Sequence, residues 1–464
     1  MHELRAAVGE EHVLVAEADL LAYGFDATWY DRTPLCVVLP ATREQVRSVH
    51  RLATRERLAL TPRAMGSGLS GGSVPLTGGI VLALTRMNRI REIDEANAVA
   101  IVEPGVVTAD LQRAVEARGL FYPPDPSSLR QSAIGGNVAE NAGGARCLKY
   151  GVTSDYVAAL EIVLPDGELI RTGGKMVKNV TGYDLRALFV GAEGTLGTIT
   201  EITLRLLPLP PFAKTATAAF DRIEDAARAV QAMLRSGLLP ASIELMDRLT
   251  MECVEEMRPC GLPTVSDALL LFAIDGRYEE IVDRELDLIA RIARDAGATD
   301  VRVARGPEEG AALWEARRAI SPALARKRPH KLGEDISVPR SELVAMIAAV
   351  RSIAKRHDLL IPLFGHAGDG NLHPNILCDR RNPAEMARVK MAARDIFEAA
   401  VSLGGTLSGE HGIGLLKKQF LERDLGPGAV GIMRRIKAAV DPLGIMNPGK
   451  IFPDEGGVDA FDLP

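Results

Sequence analysis

Hydrophobic and polar positions in the N-terminal part of the chain alternate in the way expected for short strands joined by amphipathic helices. A capping box formed by Thr42 and Gln45 predicts the start of a helix, and the apolar residues 58–60 follow that helix as a strand. Further on, residues 98–102 predict another strand, and Thr108 is the predicted N-cap of the next helix. This order predicts β-α-β units.

A proline-rich run, LRLLPLPP at residues 204–211, separates this pattern from a different one. Successive prolines end regular structure, so the run predicts a domain boundary. After it, apolar segments at 216–220 and 268–273 are followed by amphipathic helical patterns at about 223–236 and 278–296. The second part is therefore predicted to be an α+β unit with an antiparallel sheet.

Composition excludes several classes of protein. The 464 residues carry a net charge of −6 with interspersed signs, so there is no basic surface of the kind that nucleic acid requires. No apolar stretch approaches the ~18 residues that a membrane span needs, and the N-terminus lacks the features of a secretory signal. Five scattered cysteines without a CxxC pair argue against both a disulfide scaffold and an iron–sulfur cluster. We expect a cytoplasmic protein.

A glycine-rich segment, PRAMGSGLSGGSVP at residues 62–75, follows the first of these strands. Glycines interspersed with serines can turn their backbone amides and hydroxyls towards a phosphate, which predicts an anion-binding loop. The segment matches neither the P-loop nor the dinucleotide fingerprint GxGxxG. A flexible linker is the alternative interpretation, but apolar segments on both sides make it the weaker one.

A second group of residues that could carry chemistry consists of three histidines and a glutamate. His366 and His373 lie in FGHAGDGNLHPN, and Glu410 and His411 lie in LSGEHGIG. A spacing of seven residues with glycines between does not fit one helical turn, and it predicts a strand and a tight turn that bring both rings into one cleft. Two imidazoles and a carboxylate, His366, His373 and Glu410, suit a divalent metal, with zinc the expected ion and one position left for substrate. A glycine-rich turn with two surface histidines is the alternative.

Several longer motifs resemble a family of flavoproteins. They are the glycine-rich segment above, YPPDPSS at 122–128, SAIGGNVAENAGG at 132–144, KNVTGYDL at 178–185, GAEGTLGTITEITLRLLP at 191–208, the two histidine segments, and DPLGIMNPGKIFP at 441–453. Their order over residues 34–453 resembles the FAD-linked 2-hydroxyacid dehydrogenases, whose FAD domain is of the vanillyl-alcohol oxidase type. Within that family the chain is most similar to the FAD-linked subunit of glycolate oxidase and to D-lactate and D-2-hydroxyglutarate dehydrogenases.

The resemblance implies an α+β fold with a two-part FAD-binding domain at 1–211, a substrate-binding cap domain on an antiparallel sheet at 212–407, and a C-terminal segment at 408–464 that returns to the FAD domain. It also implies FAD-binding residues in each motif. These are Arg63, Gly66, Ser67, Gly68, Leu69, Ser70, Gly71, Pro123, Asp125, Ser132, Gly135, Gly136, Asn137, Asn141, Gly143, Gly144, Glu193, Gly194, Gly197, Ile199 and Asn447. Because the loop at 62–75 contains no histidine, we expect non-covalent FAD.

The family also suggests how substrate is handled. His411 is the candidate base for the hydroxyl proton, although a histidine beside a ligand carboxylate more often only orients that ligand. Arg317 is the candidate for binding the substrate carboxylate, with Ser321 four residues on and predicted to share its helix face. Lys331 lies near the sequence position at which hydroxyglutarate dehydrogenases carry a substrate-binding lysine. An acidic pair, Glu334 and Asp335, resembles one in the glycolate and D-lactate group, and an exposed acidic turn is at least as good an interpretation.

The leading function is oxidation of a D-2-hydroxyacid, D-lactate or glycolate, with electrons passed to an iron–sulfur subunit, an electron-transfer flavoprotein or a quinone-linked chain. The alternatives are a D-2-hydroxyglutarate dehydrogenase, a non-catalytic FAD subunit of a glycolate oxidase complex, and a flavin-free metal-dependent hydrolase. A partner could hold the protein at the inner membrane, and a homodimer is left open.

Overall fold

The structure is a computed structural model, and it describes residues 1–453. The strands of that range are β1 Val13–Leu14, β2 Cys36–Val38, β3 Leu60–Arg63, β4 Ile80–Ala83, β5 Ile90–Asp94, β6 Val99–Val102, β7 Leu120–Phe121, β8 Val157–Val163, β9 Leu169–Gly173, β10 Thr198–Arg205, β11 Leu207–Pro208, β12 Phe212–Phe220, β13 Ser242–Asp247, β14 Ala268–Gly276, β15 Ala298–Val303, β16 His330–Gly333, β17 Ile336–Ser337, β18 Leu363–His366 and β19 Asn371–Cys378.

The helices are α1 His2–Val8, α2 Glu17–Ala22, α3 Arg43–Glu56, α4 Thr108–Glu116, α5 Ile134–Glu140, α6 Cys147–Tyr150, α7 Thr153–Tyr156, α8 Leu185–Phe189, α9 Ile223–Arg235, α10 Arg248–Met257, α11 Glu279–Asp295, α12 Pro307–Arg318, α13 Ile320–Lys327, α14 Leu343–His357, α15 Pro383–Ser402 and α16 Leu421–Val440. Short 3₁₀ turns lie at Glu10–His12, Leu84–Arg86, Arg340–Glu342 and Lys418–Phe420. In the described range, none of these helices combines the length and apolar character needed to cross a membrane.

The chain folds into two compact units, each with its own sheets. Unit 1 consists of Met1–Gly143, Val152–Leu209 and Glu410–Pro464, and unit 2 of Gly144–Gly151 and Pro210–Gly409. The short segment Gly144–Gly151 belongs to unit 2 although it lies within the range 1–211 assigned to the FAD domain from the sequence. There Lys149 and Tyr150 both donate to the carboxylate of Asp275, at 2.5 and 2.7 Å.

Unit 1 contains two main sheets. The first has the order β1-β2-β4-β3, with β2 and β3 both parallel to β4, and the second is antiparallel with the order β5-β6-β10-β8-β9. Helix α3 follows its predicted N-cap, Thr42, whose hydroxyl accepts from the Gln45 amide, and its apolar face packs on the first sheet. The C-terminal segment runs beside β3, where the Leu60 amide donates to the Ile445 carbonyl at 2.8 Å.

Unit 2 is built on one antiparallel sheet with the order β15-β12-β14-β13-β18-β19-β16, and β17 also pairs with β19. Strand β13 lies between β14 and β18, so residues far apart in sequence become cross-strand neighbours, such as Glu244 opposite His366. Such pairs have Cβ atoms about 4.5–5.5 Å apart, close enough for direct side-chain bonds. The sheet thereby brings together the side chains of the site described below.

Candidate functional site

The glycine-rich loop of unit 1 connects β3 to β4 and has the backbone geometry of an anion-binding turn. Gly66 and Gly71 adopt φ values of 67° and 84°, which side chains disfavour. Gly68 has an ordinary backbone, and a Cβ placed there would meet only the Glu140 side chain, at 3.9 Å. The space above Gly68 is therefore open, and any side chain at this position would fill it.

The carbonyls of every second residue from Gly68 to Val74 accept hydrogen bonds from other parts of unit 1. The pairs are Gly68 with the Ala27 amide at 3.0 Å, Ser70 with the Leu415 amide at 2.8 Å, Gly72 with Asn447 Nδ2 at 2.8 Å, and Val74 with Lys450 Nζ at 2.5 Å. With its carbonyls turned to the protein, the loop can present its amides to an anion. The hydroxyl of Ser70 is buried and has no hydrogen-bond partner among the described residues, as expected of a ligand contact. These features fit the diphosphate of FAD.

A buried carboxyl group, Glu140, faces the same loop. Burial, reinforced by the nearby charge of Glu193, raises the pKa of Glu140 well above its usual range, and its Oε2 has no hydrogen-bond partner within residues 1–453. A neutral carboxyl can donate to a phosphate oxygen, whereas an ionised one would repel it. Sequence analysis missed Glu140, for which the signal was an acidic residue in the otherwise uncharged segment SAIGGNVAENAGG.

Several predicted cofactor residues make protein contacts that shape unit 1. Glu193, with φ of 49°, accepts from the amides of Ile413 and Gly414 at 2.8 and 2.7 Å, so it holds the backbone after His411. Asn447 also donates to the Glu193 carbonyl at 2.8 Å. Glu193 thereby connects the segment after His411 to the C-terminal motif that contains Asn447.

Part of the glycine and asparagine tract forms helix α5, and Asn141 is the left-handed C-cap of that helix. Asn137 donates to the Thr108 hydroxyl at 2.8 Å, and the Asn141 side chain accepts from the Ser154 amide at the same distance. The prediction of Thr108 as an N-cap was wrong: Val107 is the N-cap, and the Thr108 hydroxyl bonds to Ser132 instead. Both asparagine amides are thus used within unit 1.

The remaining predicted cofactor residues flank these elements. Arg63 ends β3 and is buried, with its guanidinium bonded to the Phe25 carbonyl at 2.5 Å. Pro123 and Asp125 follow β7, whereas Gly194 and Gly197 precede β10, which contains Ile199. Gly143 ends the first segment of unit 1, and Gly144 begins unit 2.

In unit 2, His366 and His373 lie on the hairpin formed by β18 and β19, joined by a turn at residues 367–370. This is the strand and tight turn that the spacing predicts. The two rings are edge to face with centroids 5.1 Å apart, and both residues are buried, at 3% and 5% exposure. The interpretation as two surface histidines is therefore wrong.

Each of these histidines has a buried carboxylate at its Nδ1. Glu244 Oε1 lies 2.7 Å from His366 Nδ1, and Asp335 Oδ1 lies 3.6 Å from His373 Nδ1. A carboxylate only accepts, so the short contact fixes the proton of His366 on Nδ1 and the lone pair on Nε2. Metal-binding histidines commonly have such a carboxylate, so the donor set fits a divalent ion.

The acidic pair that resembled an exposed turn is also buried. Glu334 and Asp335 are 1% and 0% exposed, so that alternative was wrong. Asp335 accepts from Asn371 Nδ2 and from the Ser408 hydroxyl, both at 2.7 Å. These bonds hold its carboxylate beside His373.

Arg317 is a buried cation in the same cluster, at 5% exposure. Its Nε donates to Glu244 Oε2 at 2.7 Å, and its guanidinium carbon lies 4.8 Å from the centre of the Phe364 ring. Its NH2 group is buried without a hydrogen-bond partner among residues 1–453. A buried unpaired donor on a cation costs free energy unless a ligand completes it, so this group suits an anion.

Ser321 and Lys331 meet as a second polar pair of unit 2, with Lys331 Nζ 2.6 Å from the Ser321 hydroxyl. Burial lowers the pKa of Lys331 to about 8. The expectation that Ser321 shares the helix of Arg317 was wrong, because α12 ends at Arg318 and α13 begins at Ile320.

Glu410 and His411 lie in unit 1, in a bend that follows the last residue of unit 2. The Oε1 of Glu410 is 3.8 Å from Nε2 of His411, and both side chains are half-buried. Gly412 next to them has a φ of 83°, and a Cβ there would collide with the carboxyl of Glu140. The bend thus requires glycine directly after His411.

Comparison with known proteins agrees with this architecture. Residues 34–173 match the FAD binding domain, and residues 209–451 match the C-terminal domain of FAD linked oxidases. The chain is 46% identical to the glycolate oxidase subunit GlcD of Bacillus subtilis, covering 96% of this chain and 94% of that protein.

The chain belongs to the FAD-linked oxidases. It is also 35% identical to the D-lactate dehydrogenase of Anaerostipes hadrus, over 90% of this chain and 89% of that protein. Among solved structures, a 4-ethylphenol oxidase from Gulosibacter chungangensis matches with a TM-score of 0.81 at 22% identity, covering 97% of this chain and 96% of that one.

These matches confirm the predicted α+β fold with a FAD-binding domain of the vanillyl-alcohol oxidase type. This member of the FAD-linked oxidases is an oxidoreductase that uses FAD, which decides against a flavin-free hydrolase. The residues that sequence analysis missed are Glu140 and Glu244. The signal for Glu244 was a single acidic residue inside an apolar strand pattern, SIELM.

Proposed function

We propose that this enzyme oxidises a small D-2-hydroxyacid, such as glycolate or D-lactate, to the 2-oxoacid. The carrying observation is the buried, incompletely bonded guanidinium of Arg317, which shares a carboxylate with His366. An anionic substrate would supply the missing acceptor for Arg317 NH2. Relatives named glycolate oxidase subunit GlcD and D-lactate dehydrogenase support a substrate of this class.

In this proposal each residue has a separate task. Arg317 binds the carboxylate, and His411 accepts the hydroxyl proton on an imidazole nitrogen. His366, His373 and Glu410 hold a divalent metal, with zinc the expected ion. The metal, when bound, would lower the pKa of the substrate hydroxyl. The two nitrogens are suited to this because their rings are buried and one is fixed by Glu244.

FAD, when bound, supplies the acceptor for the hydride of the carbinol carbon. The loop at 62–75 is proposed to hold its diphosphate without a covalent link, since no histidine is available there. The five cysteines are free thiols spread over both units. We therefore propose that an iron–sulfur subunit or an electron-transfer flavoprotein takes the electrons.

A second candidate substrate is D-2-hydroxyglutarate. The observation that favours it is Lys331, an additional half-buried cation of unit 2 hydrogen-bonded to Ser321, which could bind a second carboxylate. A D-2-hydroxyglutarate dehydrogenase of Stutzerimonas stutzeri is 35% identical over 97% of this chain. A non-catalytic FAD subunit is disfavoured because the histidine cluster and Arg317 are all present.

Anaerobic mixing with D- and L-2-hydroxyacids tests this function. Glycolate, D-lactate or D-2-hydroxyglutarate should bleach the flavin band, whereas L-lactate and L-2-hydroxyglutarate should not. If dithionite bleaches the flavin but no 2-hydroxyacid bleaches it, the proposal is overturned. Elemental analysis tests the metal, since less than about a tenth of an equivalent in fully active enzyme would exclude a catalytic ion.

A further inference from the structure

Glu244 is a fully buried carboxylate at the centre of unit 2 whose two oxygens have different partners. Oε1 bonds to His366 Nδ1 and Oε2 accepts from Arg317 Nε, each at 2.7 Å. Its exposure is 0%, so water does not screen either contact. One carboxylate therefore contacts both the histidine proposed for the metal and the arginine proposed for the substrate.

We propose that Glu244 is the positioning residue that aligns metal binding with substrate binding. The inference rests on the proposed function, because it assigns roles to His366 and Arg317. Glu244 itself touches neither ligand in this scheme. It would act by fixing the tautomer of one residue and the orientation of the other.

The effect on His366 follows from hydrogen-bond chemistry. An ionised carboxylate cannot donate, so it requires the imidazole proton on Nδ1 and leaves the lone pair of Nε2 for a metal. The opposite tautomer would place a proton on Nε2 and abolish ligation. Outer carboxylates of this type typically contribute 10- to 100-fold to metal affinity.

The effect on Arg317 follows from its planar group. Nε is bonded to Glu244, and the guanidinium carbon lies 4.8 Å from the centre of the Phe364 ring, so the group can turn only by breaking one of these contacts. NH2 then stays in place, and it lacks a protein acceptor within the described residues. Fixed donors lose less entropy on binding an anion than mobile ones do.

The backbone makes this arrangement rigid. Glu244 on β13 is directly opposite His366 on β18, in a register that continues through Leu245 with Gly365 and Met246 with Phe364. A Cβ at Gly365 would meet the Asn371 carbonyl, so the hairpin packs too closely for a shift. The position of the carboxylate is thus set by the central strands of the sheet.

Glu244→Gln separates these tasks because an amide has one acceptor oxygen and one donor nitrogen. If the oxygen stays with Arg317, the NH₂ group faces His366 Nδ1 and favours the tautomer that does not bind metal. If the amide turns over, His366 is satisfied but Arg317 Nε meets a donor. Each orientation of the amide therefore weakens either metal binding or substrate binding, and a mixture of the two orientations weakens both.

The experiment titrates Zn²⁺ into metal-free, FAD-loaded protein against a chromophoric chelator, without substrate. We expect Glu244→Gln to weaken Zn²⁺ binding roughly 10- to 100-fold. The dissociation constant of the 2-hydroxyacid, from anaerobic flavin bleaching, should rise about tenfold or more as one charge-assisted bond is disturbed. Glu161→Gln is the matched control, because Glu161 is also a buried carboxylate that pairs with arginines, but in unit 1. It should leave both constants unchanged.

Unaltered Zn²⁺ and substrate affinities in a folded Glu244→Gln protein would overturn the inference. Equal losses in the Glu161→Gln control would overturn it too, since they would indicate general destabilisation. If Glu244→Gln does not fold, Glu244→Asp replaces it: the side chain is one methylene shorter, so one of the two affinities should fall while the other is kept. A wild-type protein that neither binds Zn²⁺ nor is bleached by any 2-hydroxyacid would instead reject the proposed function itself.

Discussion

Replacing Arg317 by lysine tests whether its unsatisfied donor binds the substrate carboxylate. The buried guanidinium uses Nε for Glu244 and has NH2 without a protein partner among the described residues. A lysine keeps the positive charge that Glu244 needs, but a single ammonium cannot reproduce the planar fork that serves two directions. We therefore expect folding to persist while the anion contact is lost.

The expected magnitude follows from that one contact. A hydrogen bond to a charged group contributes about 1.5–3 kcal/mol, which corresponds to roughly 10- to 100-fold in the dissociation constant. Alanine would be a poorer choice because it leaves Glu244 buried without its cation, and breaking such a pair costs about 3–5 kcal/mol of stability. Arg318→Lys is the control, since Arg318 is half-buried and pairs with Glu315.

The assay compares a D-2-hydroxyacid with its neutral carboxamide in anaerobic stopped-flow traces of flavin bleaching. Wild-type enzyme should prefer the acid, and Arg317→Lys should lose most of that preference while the limiting reduction rate changes little. The acid and amide with wild type and variant form a double-mutant cycle that isolates the carboxylate contact. A variant that weakens acid and amide equally would refute the assignment, because the loss would then not depend on the carboxylate.

Three further predictions concern the other residues of the site. His411→Ala should lower the limiting rate of flavin reduction by roughly 10²–10⁴ with FAD content and substrate affinity nearly unchanged, and an unchanged limiting rate would move the base elsewhere. Gly68→Val should abolish retention of FAD on a desalting column, whereas Gly306→Val, at an open position with extended backbone, should retain it. Because the pKa of Lys331 is about 8, affinity for D-2-hydroxyglutarate should fall as pH rises through that value and its ammonium is lost. Lys331→Met should lack this change, and the same pH profile in both proteins would exclude Lys331 from binding.

Local features of the fold were predictable from the sequence. The helix after Thr42, the loop between two strands and the hairpin that carries His366 and His373 each depend on residues close together along the chain. Their signals are turn chemistry and apolar periodicity, which act within a few residues. The candidate site residues that belong to such motifs could therefore be proposed from the sequence.

Features that depend on sheet order were not predictable in the same way. Glu244 and His366 are 122 residues apart, and their contact exists because β13 lies beside β18 in the sheet. The burial of Glu334 and Asp335 likewise depends on β19, to which the preceding and following strands both pair. Charge alone suggested an exposed turn there, and tertiary pairing decided otherwise.

The same contrast explains why the proposed metal ligands have a motif and the carboxylates beside them do not. Two ligands on one hairpin must keep a fixed spacing, so glycines and histidines recur in a pattern that sequence analysis can detect. A carboxylate that bonds to Nδ1 needs only a position opposite the histidine, and any strand that the sheet places there can supply it. Glu244 meets that requirement from β13, and it also binds Arg317 from α12. Both His366 and Arg317 thus require a carboxylate at this position, although no residue next to Glu244 in the sequence indicates it. A substitution that keeps the size of the side chain but removes one of its two acceptor oxygens should therefore be the most informative change in unit 2.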